Sequence, residues 1–149
     1  MIDVEIEDVD WTEALPDAEA LVRGAAEAAL AADAVVGDVT VLLTSDLAVR
    51  ELNATFRGKD YATNVLSFPA PANPEDFVGD IALALGVMTR EADEQGKSLA
   101  HHLQHLVVHG VLHLIGYDHE EDGDAERMES LERVLLAGLG APDPYADDD

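Results

Sequence analysis

The sequence predicts a mixed α/β (α+β) domain: a small four-stranded mixed sheet with about five helices packed on it. Three observations predict it. A chain of 149 residues suits one core, and a hydrophobic fraction of 48% is ordinary for a folded globular protein. Short β-branched or alternating segments are interleaved with longer segments at helical spacing, in the order β-α-β-α-β-β-α-α-α. No internal repeat and no long linker divides the chain, so residues 1–149 read as a single domain.

MIDVEIEDV alternates apolar and polar, placing Ile2, Val4 and Ile6 on one side of a half-buried strand. From Thr12 to Asp33, the residues Leu15, Ala18, Leu21, Val22, Ala25 and Ala29 recur at helical spacing, in an amphipathic helix starting near Pro16. Gly37 and Asp38 turn the chain, and VTVLL, residues 39–43, is a strand by its β-branched run. Thr44 or Ser45 then caps a helix through SDLAVRELNATF, which Gly58 ends. YATNVLSFP, residues 61–69, is a strand closed by Pro69, and APANPEDF is a surface loop. GDIALAL, residues 79–85, is the fourth strand and a candidate antiparallel neighbour of the third. Residues 86–95 are helical up to Gly96. Ser98 caps a long helix to about Leu114, stopped by Gly116. Asp122 to Leu139 form the last helix, and residues 140–149 read as a frayed acidic tail.

Composition excludes several classes. There is no cysteine, so disulfides and thiolate metal sites are ruled out, and any metal must be held by His, Asp or Glu. No apolar run approaches the ~20 residues of a membrane-spanning helix. The acidic, alternating N-terminus does not read as a signal peptide. A cytoplasmic location without a membrane partner is the default expectation. The formal net charge is −24, from 32 acidic and 8 basic residues. Broad nucleic-acid binding normally uses a basic surface. A polyanionic substrate would therefore require the few basic residues to be concentrated near the site.

The chemistry gathers in HGVLHLIGYDH, residues 109–119. His109 and His113 stand at i and i+4 on a predicted helix, one turn apart on one face. Two imidazoles so placed can share one zinc, with Zn–N near ~2.1 Å. Gly116 is free to adopt positive φ and reverse the chain, which returns His119 toward the same metal. Three protein ligands leave a fourth position open, the catalytic pattern. His105 also lies at i−4 from His109, but it is about 12 Å along the helix axis from His113, too far to share one ion. It reads as a supporting or packing residue, and His101 and His102 read as exposed near the helix start.

The spacing matches the H-E-x-x-H-x-x-G-x-x-H of certain zinc proteases, with Gly110 in place of the glutamate that moves protons. Zinc lowers the pKa of bound water to about 7, so hydroxide is available without a strong base. Peptide hydrolysis also needs a proton for the leaving amine. Phosphodiester cleavage asks instead for stabilised charge on phosphoryl oxygens, a task for a metal plus Arg or Lys. Asp118 and Glu120 flank His119 and can substitute as a carboxylate, orient a ligand imidazole or face solvent.

Three blocks of the chain resemble one family. HLVVHGVLHLIGYDHEED, residues 105–122, resembles the signature of the YbeY family, the bacterial endoribonucleases of ribosomal RNA maturation. RELNATFRGKDYATNVLSFP, residues 50–69, is similar to its second block and VGDIALAL, residues 78–85, to its third, in the same order and spacing. The resemblance implies a single zinc-dependent endoribonuclease domain with one Zn2+ held by His109, His113 and His119, and a catalytic role for Arg57 and His113. It implies single-stranded RNA as substrate, in maturation of ribosomal RNA at the small-subunit 3′ end and in ribosome quality control, with the small subunit as partner. On the residues alone, Arg57 on a loop after a helix either grips a phosphate in bidentate fashion or is an ordinary solvated arginine. Thr63, Asn64 and Ser67 either bond backbone or line the cleft, and Asp80 after Gly79 reads as structural.

Two other classes stay open on the sequence. One is a metallopeptidase or other zinc hydrolase, motivated by the histidine spacing and opposed by Gly110. The other is a non-catalytic ribosome-associated factor with structural zinc. The attacking group, metal hydroxide or ribose 2′-OH, is also open, and histidine-only ligation suits nickel or copper as well as zinc.

Overall fold

A computed structural model describes residues 1–117 and 122–145. Its four strands, β1 (Ile2–Ile6), β2 (Asp38–Thr44), β3 (Val65–Pro69) and β4 (Phe77–Ala84), form one mixed sheet in the order β1-β2-β4-β3. β1 runs parallel to β2 and β2 to β4, while β3 pairs antiparallel with β4 at the edge. The helices of the described residues are α1 (Asp10–Ala14), α2 (Ala18–Ala32), α3 (Asp46–Arg57), α4 (Leu85–Gln95), α5 (Leu99–Leu114) and α6 (Asp122–Gly138). Parallel neighbours cannot be joined by a tight turn, and α2 supplies the crossover between β1 and β2.

Alternation along the strands divides the apolar residues between two layers. Ile2, Val39, Val41, Leu43, Ile81 and Leu83 join Val22, Ala25 and Ala29 of α2 and Leu103, Val107 and Val111 of α5 in the main core. Each fully buried Leu, Ile or Val contributes about 1.5–3 kcal/mol. The other sheet face holds a smaller cluster of Val49, Leu66, Ala82 and Ala84 beneath α3. Because α5 is buried around most of its circumference, one stripe is left half-buried, and His101, His105, His109 and His113 occupy it. The i, i+4 spacing thus becomes a single row of imidazoles along one helix.

Local signals set the helix ends where the sequence places them. Ser45 Oγ accepts from Ala48 N–H and Ser98 Oγ from His101 N–H. Gly58 and Gly96 close α3 and α4 in the left-handed region. The antiparallel pairing of the third and fourth strands is as expected.

Four expectations change. The helix expected over Thr12–Asp33 is two, so six helices replace about five. Pro16 lacks an N–H and disfavours helical geometry at Leu15, which is extended (φ −150°, ψ 85°) and ends α1. The strand expected over 61–69 starts only at Val65, whose N–H is taken by the Asn64 side chain (2.7 Å). The expected frayed tail is packed through Tyr145: Ala141 is buried in the core and Lys97 Nζ donates to Pro144 O (3.4 Å). His102, expected to be exposed, is buried and bonded to Glu91 (2.9 Å). No helix among the described residues is long and apolar enough to cross a membrane.

Candidate metal centre

Arg57, His109 and His113 border one cleft of about 730 Å³, within the ~300–1,000 Å³ usual for ligand sites. Its floor is α5, through His105, Leu106, His109 and His113. Edge strand β3 forms one wall with Val65, Ser67 and Pro69, residues of a single face. Arg57 and Asn64 stand beside it, and Gly116, Tyr117 and Tyr145 complete the rim. His119, the expected third ligand, lies outside the described residues, as do its neighbours Asp118 and Glu120. Asp80 is not in the cleft; it lines a separate apolar groove with Leu42, Leu52, Phe56 and Phe68, where burial pushes its carboxyl pKa up.

The end of α5 both stops the helix and aims a ligand. Gly116 takes φ 107°, its N–H donates to His113 O (3.2 Å), and Tyr117 N–H donates to Leu112 O (2.9 Å). This pair of bonds satisfies the last carbonyls of the helix, and the positive φ it needs is open to glycine. The reversal brings Tyr117 O to 3.1 Å from His113 Nδ1. A carbonyl only accepts, so His113 carries its proton on Nδ1 and presents the lone pair of Nε2. Tyr117 OH in turn donates to Asp33 Oδ1 (2.9 Å) at the end of α2, tying the turn to the body of the domain.

His109 is oriented the same way by a different group. Its Nδ1 lies 3.1 Å from Glu132 Oε2 on α6. Glu132 is 0% exposed. Burial pushes its carboxyl up, but bonds from His105, His109 and Tyr145 outweigh burial and hold its pKa at about 2. It is therefore an ionised acceptor, and His109 donates through Nδ1. The two Nε2 atoms face each other at 3.1 Å, with ring centroids 4.6 Å apart. Two ligand nitrogens on a tetrahedral zinc stand about 3.4 Å apart, given Zn–N near ~2.1 Å. Two lone pairs this close are reconciled by a shared cation or proton. A buried carboxylate without a charged partner costs several kcal/mol. Glu132 pairs with histidines and with no Lys or Arg among the described residues. Both observations fit a metal cation on the cleft side of His109.

A second grouping also includes His109. His105, His109 and Glu132 offer ligand atoms within 4.8 Å of one another, a group that could hold a metal ion. Sequence reasoning missed Glu132 and Tyr145. Glu132 did leave a signal: it stands midway between Met128 and Leu136, and all three are buried. A carboxylate inside an i, i+4, i+8 apolar stripe requires buried partners.

The geometry also explains Gly110. A Cβ there would meet Ile81 Cδ1 at 3.1 Å and Ser67 Oγ at 3.3 Å. Ser67 Oγ donates to Gly110 O (3.1 Å), so α5 lies directly on the sheet at this point. Position 110 is where helix and sheet touch, and any side chain there requires Ile81 and Ser67 to give by a few tenths of an ångström.

Fold and site together define the class: a small mixed α/β enzyme with a histidine-lined cleft backed by a buried carboxylate. The family profile for Endoribonuclease YbeY matches residues 2–140. A Rhodopseudomonas palustris (strain BisB18) protein named endoribonuclease YbeY is 53% identical over 150 residues, covering 94% of this chain and 89% of the relative. A Pseudomonas putida protein of the same name is 53% identical over 143 residues, covering 93% and 90%. The solution structure of a Thermotoga maritima protein matches with a TM-score of 0.58 at 27% identity, covering 99% of this chain and 100% of that one. The chain belongs to the endoribonuclease YbeY family, and is by that membership an enzyme of the hydrolase class.

Proposed function

We propose that this chain is a single-domain, zinc-dependent, single-strand-specific endoribonuclease. It acts in the cytoplasm in maturation of ribosomal RNA, at the 3′ end of the small-subunit RNA and in company with the small subunit. The observation that carries the reading is the charge of the cleft. In a chain of net charge −24, the cleft is lined among the described residues by Arg57 and three histidines, and by no Asp or Glu. Among the described residues, the lining of the cleft presents no carboxylate to an approaching polyanion.

His109 and His113, with His119, would hold the zinc. When bound, zinc supplies Lewis-acid polarisation of a phosphoryl oxygen and acidifies water. Arg57 is exposed at the last turn of α3, and Gly58 turns the chain just after it. Its planar fork can hold a phosphate through two bonds and stabilise charge that develops on it. Asn64 and Ser67 offer neutral groups on the wall facing the histidines.

The test is zinc content and RNA cleavage of wild type, Arg57→Ala and His113→Ala. We expect about one zinc per chain, retained in Arg57→Ala and lost in His113→Ala. RNA cleavage should fall about 10²–10³-fold in Arg57→Ala, as when a charge-stabilising donor is removed, and vanish in His113→Ala. Zinc retained in His113→Ala overturns the ligand assignment, and full cleavage by Arg57→Ala overturns its role. The cut ends identify the attacking group: a 2′,3′-cyclic phosphate marks the ribose hydroxyl.

A further inference from the structure

Glu132 is the one fully buried carboxylate among the described residues. Its oxygens are divided between two sets of donors. Oε1 accepts from Tyr145 OH at 2.6 Å and from His105 Nε2 at 2.8 Å. Oε2 accepts from His109 Nδ1 at 3.1 Å. Tyr145 is itself held: its N–H donates to Asp143 Oδ1 (2.8 Å), Arg133 lies over its ring (5.2 Å to the centroid), and Arg133 Nε donates to Asp143 Oδ1 (3.2 Å). The described part of the C-terminal segment thus packs back onto α6 and places Tyr145 OH on the carboxylate beneath the cleft.

We propose that Glu132 is a positioning residue: through Nδ1 of His109 it fixes the ring and the tautomer that turn Nε2 toward the metal, while Tyr145 holds Glu132 in place. This rests on the reading of His109 as a ligand. The competing arrangement makes Glu132 a ligand itself, together with His105 and His109. The hydrogen bonds oppose it. Both oxygens already accept hydrogen bonds, and His109 Nδ1 can either donate to Glu132 or ligate an ion, not both. Ligation through Nδ1 would remove the proton that joins His109 to Glu132. His105 Nδ1 is buried without a hydrogen-bond partner. Its Nε2 therefore carries the proton, and the ring serves Glu132 as a donor.

The test compares wild type, Glu132→Gln, Tyr145→Phe and His113→Ala by three measurements. These are zinc affinity in competition with a chromophoric chelator, the visible spectrum of the cobalt(II)-loaded protein, and the circular dichroism of the metal-free protein. Glu132→Gln should still bind one ion with the wild-type cobalt band positions, at an affinity weakened about 10–100-fold. Tyr145→Phe should weaken it in the same direction by less, about 2–10-fold, the worth of one hydrogen bond. Wild-type affinity in folded Glu132→Gln overturns the positioning role. Loss of the cobalt bands, as expected of His113→Ala, or bands shifted from the wild-type positions, make Glu132 a ligand and also overturn it. If Glu132→Gln does not fold, Tyr145→Phe decides: unchanged affinity overturns the proposal. A wild-type protein that takes up no zinc sinks the metal reading first, an outcome distinct from every one of these.

Discussion

The histidines of helix α5 pair with two glutamates, Glu91 and Glu132, in opposite senses. In His102–Glu91 (2.9 Å) the imidazole is 3% exposed and the carboxylate 30%. In the pairs of His105 and His109 with Glu132, the imidazoles are 13% and 21% exposed and the carboxylate 0%. Burial pushes the His102 pKa down, against the pull of Glu91, so the fold favours the neutral ring. Around Glu132 the fold keeps the carboxylate charged. The buried partner is the one the fold fixes, and the half-exposed partner is the one left to meet something else. Beside His102 that partner is Glu91, which binds the Asn64 amide at 3.0 Å. Beside Glu132 it is His109, whose other nitrogen faces the cleft.

The largest effect that would break this contrast is on stability. Glu132→Ala leaves two imidazole donors and a tyrosine hydroxyl around an emptied, buried site. Removing one partner of such a cluster costs about 3–5 kcal/mol. Glu91→Ala removes a partly solvated partner but leaves the buried His102 ring without its bond, and should cost less, about 1–3 kcal/mol. Urea denaturation of the metal-free proteins measures both, and equal losses would dissolve the distinction. A smaller effect is the pH dependence of His102. Its folded pKa lies below the unfolded value of about 6.5, so its contribution is whole above that pH and is lost as pH falls through the folded value. The stability advantage of wild type over His102→Gln should therefore shrink on acidification below about pH 6.5. An advantage that stays constant from pH 8 to about 5 would remove burial as the dominant cause.

The difference between the pairs also marks what the sequence could reveal. His109, His113 and Gly116 were legible because their relation is local: a helical repeat and a glycine turn are written within a few residues. The caps at Ser45 and Ser98 were legible for the same reason. Arg57 came from the three-block resemblance, since its chain neighbours do not reveal what it faces across the cleft. Glu132 and Tyr145 depend on how α6 and the C-terminal segment fold over α5. The contact of His105 with Tyr145 spans 40 residues. The acidic composition of the tail suggested solvent, whereas Ala141 and Tyr145 anchor it. His102 was misplaced because the start of α5 is covered by α4, which no local pattern around Ser98 announces.

The smallest effect tests whether the two networks are independent at their outer members. Asn64 and Tyr145 both line the cleft, and each donates to the carboxylate of its own pair. Asn64→Ala removes the bond to Glu91 and the acceptor for Val65 N–H. It should lower stability by about 1 kcal/mol, since each such bond has a net worth of about 0.5–1.5 kcal/mol and water replaces part of it. Zinc affinity should stay within about twofold of wild type, because among the described residues the side-chain bonds of Asn64 lead to Glu91 and His102, whereas Glu132 is the carboxylate that His109 meets. Tyr145→Phe should do the reverse, with a small loss of stability and a measurable loss of affinity. If Asn64→Ala weakens zinc binding as much as Tyr145→Phe does, the row of histidines on α5 acts as one coupled unit and the division between a structural and a working pair falls.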